Sequence, residues 1–268
     1  MYSGTTLGKN SGNVIGAHQR IDRIARRMVQ PHLNDHWFPT EKQILYFEGN
    51  NGPDGIKRKS PSVDEPWHYL DPDEVSDESL IEMITDHQEN LSAALKNKNP
   101  ERAAFEAAWM AHAIVDGLTP AHHVPLAKHI ETLFGMVHTE RQTVKQKSII
   151  KGTNRRDTLS KNWQYWGKRG IFMNHVMFEF GVSTTMLSKR YNNIHISTDK
   201  LAALKKHGYK KVFHDILQEV IALGTYESYV KNGWTATLAT SVRRQLVPLL
   251  AEAVALGWYA SLPKKSRK

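Results

Sequence analysis

Apolar residues recur along most of this chain at intervals of three and four, the spacing that gathers them on one face of a helix. The stretch from Ala17 to Gln30, His-Gln-Arg-Ile-Asp-Arg-Ile-Ala-Arg-Arg-Met-Val at its centre, predicts the first such helix, and Thr40 to Phe47 a short second one. Ser76-Asp77-Glu78 has the capping and acidic first-turn character of a helix start, and Leu80, Ile81, Ile84, Leu91 and Leu95 continue it. Pro100 opens an Ala-rich helix. Further helices are expected over about 123–136, 171–190, 199–206, 209–231 and 234–259. The two-residue alternation of a half-buried strand is scarce, so the expected class is all-α, a compact multi-helix bundle. No apolar run approaches the eighteen residues needed to span a bilayer.

Composition narrows the chemistry. The 268 residues include no cysteine, which excludes disulfides and thiolate metal sites and leaves His and carboxylate as the strong ligands. Residues 1–16 are rich in Gly, Ser, Thr and Asn and read as a flexible arm with no apolar run of signal length, which points to a cytoplasmic protein. One helical domain is expected over 17–262, followed by a basic tail at 263–268. The net charge is +9, and much of it lies in a basic insertion at about 139–170, where nine Lys and Arg residues face only Glu140 and Asp157. Trp163, Tyr165 and Trp166 interleave with those charges. Such a mixture suits phosphates with an apolar neighbour, either lipid headgroups beside acyl chains or nucleotides with stacked bases. A solvated insertion whose aromatic residues pack on the body is the plainer alternative.

The most informative segment is Trp109-Met-Ala-His112-Ala-Ile-Val-Asp116-Gly-Leu-Thr-Pro-Ala-His122-His123. His112 and Asp116 stand four apart, one above the other on a helix. Gly117 and Pro120 end that helix, and a turn there can swing His122 back to the same side. Chance supplies His-x3-Asp-x5-His roughly 0.03 times in such a chain. Downstream, His175 and Glu179 repeat the four-residue spacing in an apolar setting, where an imidazole and a carboxylate need a partner and a divalent metal satisfies both. A helix-surface hydrogen bond is the ordinary alternative for that pair. A third element is the loop Phe47 to Asp73, dense in Gly, Pro and Asn, which still carries Asp54, Trp67, His68 and Tyr69. Metal coordination is one reason for order in such a loop, and packing of its aromatic residues on the core is another. His123 is the alternative to His122 if the turn differs by one residue, and His129 and His138 are left outside the site.

Asp54 with His68, then His112, Asp116 and His122, then His175 with Glu179 resemble, in order, the ligand pattern of the bacterial zinc-dependent phospholipases C, whose superfamily includes the fungal single-strand-specific nucleases. His68-Tyr-Leu-Asp-Pro-Asp and His112-Ala-Ile-Val-Asp-Gly-Leu-Thr-Pro-Ala-His look most like the phospholipase branch, and the similarity covers about residues 18 to 180. The resemblance implies that family's helical fold and two or three zinc ions. Asp54, His68, His112 and Asp116 would hold one ion, and His122, His175 and Glu179 a second with positions open to water and substrate. In the family a third ion takes an N-terminal Trp, an early His and the bridging Asp. His18 and Asp116 match the last two, while this chain begins Met-Tyr-Ser-Gly. The family's secreted members give secretion as the alternative location.

The implied activity is hydrolysis of a phosphodiester, with Asp54 as ligand and candidate general base. Phospholipid is the leading substrate, with peripheral contact to an anionic membrane surface. Single-stranded nucleic acid is the second substrate class, and a non-catalytic, metal-stabilised phosphate-binding protein is the rival outside the enzymes.

Overall fold

Ile21, Ile24, Ala25, Met28 and Val29 turn to one side of helix α1 (Ala17–Val29), and all five are buried. The computed structural model describes residues 1, 16–34, 37–55, 70, 72, 78–123, 131–136, 149–167 and 170–263. Among them the fold is all-α, a compact assembly of helices without a strand. No described helix is long and apolar enough to cross a membrane.

Helix α2 (Glu41–Tyr46) is only six residues long and depends on its start. The Thr40 hydroxyl accepts from the Gln43 backbone N–H and the Gln43 side chain accepts from the Thr40 N–H, a reciprocal capping box. Helix α3 (Ser79–Lys96) and helix α4 (Pro100–Gly117) form a hairpin across Asn97, Lys98 and Asn99. Lys98 takes a left-handed backbone, φ 53°, to reverse the chain, and the Asn99 side chain then caps α4 by accepting from the Arg102 N–H.

Helix α5 (Arg155–Trp166), capped by Asn154, lies within the segment expected to be a basic insertion, and no helix was expected there. Helix α6 (Ile171–Leu187) packs against α5 and α1. Helices α7 (Thr198–His207) and α8 (Tyr209–Ala222) follow. The helix expected over 209–231 is in fact two. Gly224, at φ 55°, breaks it, and α9 (Thr225–Asn232) follows as a separate helix. The segment 234–259 is likewise divided into α10 (Ala236–Ser241), a π-turn at Val242–Leu246 and α11 (Val247–Ser261). Pro248 has no N–H to donate to the preceding turn, and the wide turn before it accommodates that lost bond.

The core is built on α4 and α11, with α1 laid against both. Every residue of α11 from 250 to 259 is buried, Trp258 and Tyr259 being the largest. The Trp258 indole donates to the Ala107 carbonyl at 2.9 Å, which ties α11 to α4. Burying an aromatic side chain of this size contributes on the order of 3 kcal/mol. At the end of α4 a side chain on Gly117 would put its Cβ 2.4 Å from Leu80, so this position keeps α3 close to the helix that carries His112 and Asp116.

Candidate metal centre

Five segments deliver their polar groups to one buried place. The first turn of α1 supplies His18, and the last turns of α4 supply His112 and Asp116. Helix α4 stops at Gly117, and Pro120, with its fixed φ, starts a 3-10 turn over Pro120–His122 that brings His122 back over the end of α4. Helix α6 supplies His175 and Glu179, and Asp54 follows the 3-10 turn Gly49–Asn51.

Asp116 stands at the middle. Its Oδ1 is 3.2 Å from His18 Nε2, and its Oδ2 is 3.3 Å from His112 Nε2 and 4.0 Å from His122 Nδ1. Asp54 Oδ1 lies 3.7 Å from His112 Nε2. On the α6 side, Glu179 Oε1 is 2.8 Å from His122 Nε2 and 3.1 Å from His175 Nε2. Two groups, His18 with His112 and Asp116, and His122 with His175 and Glu179, each bring their ligand atoms within 4.8 Å of one another. Each group can hold a metal ion.

Three observations fit a cation here. First, neighbours hold the imidazoles with Nε2 facing the centre. His112 Nδ1 is 3.0 Å from Glu48 Oε1 and His175 Nδ1 is 3.4 Å from the Ala121 carbonyl, so donation from Nδ1 leaves Nε2 as the coordinating atom. Second, both ring nitrogens of His18 are buried and neither makes a hydrogen bond to a described residue, which an ion would remedy. Third, the spacing suits shared coordination. A tetrahedral ion with bonds of about 2.0–2.1 Å keeps its ligand atoms roughly 3.3 Å apart. The His18, His112 and His175 contacts to carboxylate oxygen, at 3.2, 3.3 and 3.1 Å, lie close to that separation.

Against burial, Glu48, Asp116 and Asp54 hold the His112 imidazole well above its usual range, so an ion bound by this ring must displace its proton. Burial disfavours a charged Asp116, yet the Met1 ammonium and the imidazoles of His122, His112 and His18 overcome it and hold the carboxyl well below its usual range. Glu179 is also held well down against burial, by the Met1 ammonium and His175. Burial pushes His122 down to about 4, which keeps it neutral as a ligand must be. Behind His112, burial and the nearby Glu48 push Asp22 well above the ordinary carboxylate range.

Of the eight residues expected to bind metal, His18, Asp54, His112, Asp116, His122, His175 and Glu179 converge, and His68 lies outside the described residues. Two positions beyond it, the Leu70 N–H donates to the His122 carbonyl at 3.3 Å. His123 is not the ligand of this turn, because its Nε2 lies 2.8 Å from the Gly117 carbonyl. The grouping differs from the expected one: His18 joins His112 and Asp116, because α1 runs alongside the end of α4.

Sequence reasoning missed Met1, Glu48 and Asp22. Met1, expected in a flexible arm, is buried, and its amino group pairs with Asp116 and lies 3.2 Å from Glu179 Oε1. Burial works against that charge, but Asp116, Glu179 and Asp54 outweigh it and raise the amine to about 10. An ammonium among three carboxylates stands where a metal cation would also be stabilised. Residues 2–15, 264–268 and 139–148 of the expected arm, tail and insertion lie outside the described residues. Comparison with models of protein families, with curated proteins and with solved structures found no match.

Proposed function

We propose that this chain is a zinc-dependent phosphodiester hydrolase of the phospholipase C type, acting on phospholipid headgroups. The observation that carries the reading is Asp116 lying between two imidazole and carboxylate groups. A carboxylate in that position is a common way of holding two ions close together. Nitrogen and oxygen donors without thiolate suit zinc. His18, His112, Asp116 and Asp54 would hold one part of the cluster, and His122, His175 and Glu179 the other. Bound zinc supplies a water acidic enough to be hydroxide near neutral pH and neutralises charge on the phosphate.

Asp54 is the most exposed of the described ligands, its side chain 29% accessible against 2% for Asp116. Substrate therefore meets the centre on the Asp54 side, where this carboxylate can accept a proton from the attacking water. The water oxygen bonds to phosphorus as the bond to the diacylglycerol oxygen breaks. The proton taken up by Asp54 is returned to that leaving oxygen, giving diacylglycerol and a phosphomonoester headgroup.

The test begins with metal analysis of the purified protein, which should hold zinc. It should hydrolyse bis-p-nitrophenyl phosphate and release diacylglycerol from phosphatidylcholine, and Glu179→Ala should lose turnover together with one ion. Degradation of single-stranded DNA in place of the lipid would make it a nuclease. Bound zinc without turnover of any diester would leave a metal-stabilised phosphate-binding protein.

A further inference from the structure

Helix α5 carries its apolar residues on the wrong side for a helix that merely packs on the body. Leu159 and Trp163 are 72% and 73% exposed and Trp166 is 38% exposed, while Tyr165, 5% exposed, is the one buried residue of the helix. The inward side is otherwise polar: the Asn162 amide donates to the Ile150 carbonyl at 2.8 Å and its side-chain oxygen accepts from the Ile150 N–H at 3.2 Å. At the advance of about 100° per residue of a helix, Arg155, Arg156, Leu159, Trp163 and Trp166 fall within an arc of roughly 100°. Both arginines are exposed. The carboxylate of α5, Asp157, lies away from this arc and is engaged by the Thr153 N–H and Lys161.

We infer that this face of α5 docks on an anionic phospholipid surface, seating Leu159, Trp163 and Trp166 at the boundary between headgroups and acyl chains. The inference rests on the phospholipid reading of the metal centre. Large apolar side chains exposed together signal an interaction site, and indoles favour the membrane interface because one edge is apolar and the other donates a hydrogen bond. Arg155 and Arg156 on the same arc supply attraction to anionic headgroups. They also oppose pairing with a second copy, which would set two such arginine faces against each other. Leu159, at the centre of the stripe, offers no ring on which a base could stack.

The helix is well placed to serve the centre. Its last residue, Trp166, meets Phe172 of α6 with ring centroids 4.8 Å apart, and His175 lies one turn further along α6. A bilayer held by α5 is thus held beside the element that carries His175 and Glu179.

Sedimentation of the full, zinc-stripped chain with vesicles of phosphatidylcholine containing phosphatidylglycerol tests docking without turnover. Binding should weaken with salt and should shift tryptophan emission to the blue. The double change Leu159→Ser and Trp163→Ser should lower the partition coefficient by more than about tenfold, and Arg155→Gln and Arg156→Gln by roughly fivefold each. Loaded with zinc, the same variants should keep turnover of soluble bis-p-nitrophenyl phosphate and lose it on vesicles. Unchanged partition in the double variant would overturn the inference. So would a Trp163-dependent emission shift given by single-stranded DNA and not by vesicles, or a dimer that shields Trp163. Docking as expected with no diester turned over would uphold this surface and overturn the hydrolase reading instead.

Discussion

The imidazole of His18 lies flat on that of His112, with ring centroids 3.9 Å apart and planes within 5° of parallel. Stacking in this register sends both Nε2 atoms to opposite oxygens of the same carboxylate, Asp116. Both rings can thus serve a cation held by that carboxylate, each as a neutral donor.

Asp116→Asn should therefore remove more metal than any other single change at the centre. The expected result is loss of ions from both ligand groups, against one ion lost in Glu179→Ala, read as zinc stoichiometry after gel filtration. Equal stoichiometry in the two variants would mean that Asp116 is not shared.

Glu48 orients His112 without facing the ions, so its replacement should weaken zinc and leave the fold intact. Removing a partner of this kind typically costs 10–100-fold in metal affinity. Glu48→Ala should fall in that range and Glu48→Gln, which keeps an acceptor for Nδ1–H, should lose much less. Competition with a chromophoric chelator gives both values, and circular dichroism checks the helices.

In the zinc-free protein, burial holds His123 down to about 4, against the bond to the Gly117 carbonyl. The unfolded chain takes up a proton on this residue below about 6.5, and the folded chain does not until about 4. More protons on the unfolded state means that stability falls with falling pH across that window. His123→Asn should shrink the loss of denaturation midpoint between pH 7 and pH 4.5, measured by urea titration.

Trp258→Phe removes the donor to Ala107 and leaves space between α11 and α4. The expected destabilisation is about 1–3 kcal/mol. It should appear as a lower thermal midpoint with metal content unchanged. A midpoint equal to that of the unaltered protein would mean that the indole contributes little to joining the two helices.

The pairs His112 with Asp116 and His175 with Glu179 were legible in the sequence because each needs only one helix to align it. The return of His122 was legible because Gly117 and Pro120 mark the end of that helix. His18 needed the packing of α1 on α4 to assign its partners, and Glu48 gave no sign, since it lies 64 positions from the ring it orients. Helix α5 escaped detection because Leu159, Trp163, Tyr165 and Trp166 are its only large apolar residues, too few to mark a period in so basic a segment. The breaks at Gly224 and at Val242–Leu246 were overlooked because the apolar pattern continues through both.

The unequal exposure of the ligands has a practical result. With Asp54 at the rim and Asp116 sealed beneath it, ions and diester would use the same doorway. A diester seated there would act as a stopper, so a chelator should strip zinc more slowly as substrate concentration rises.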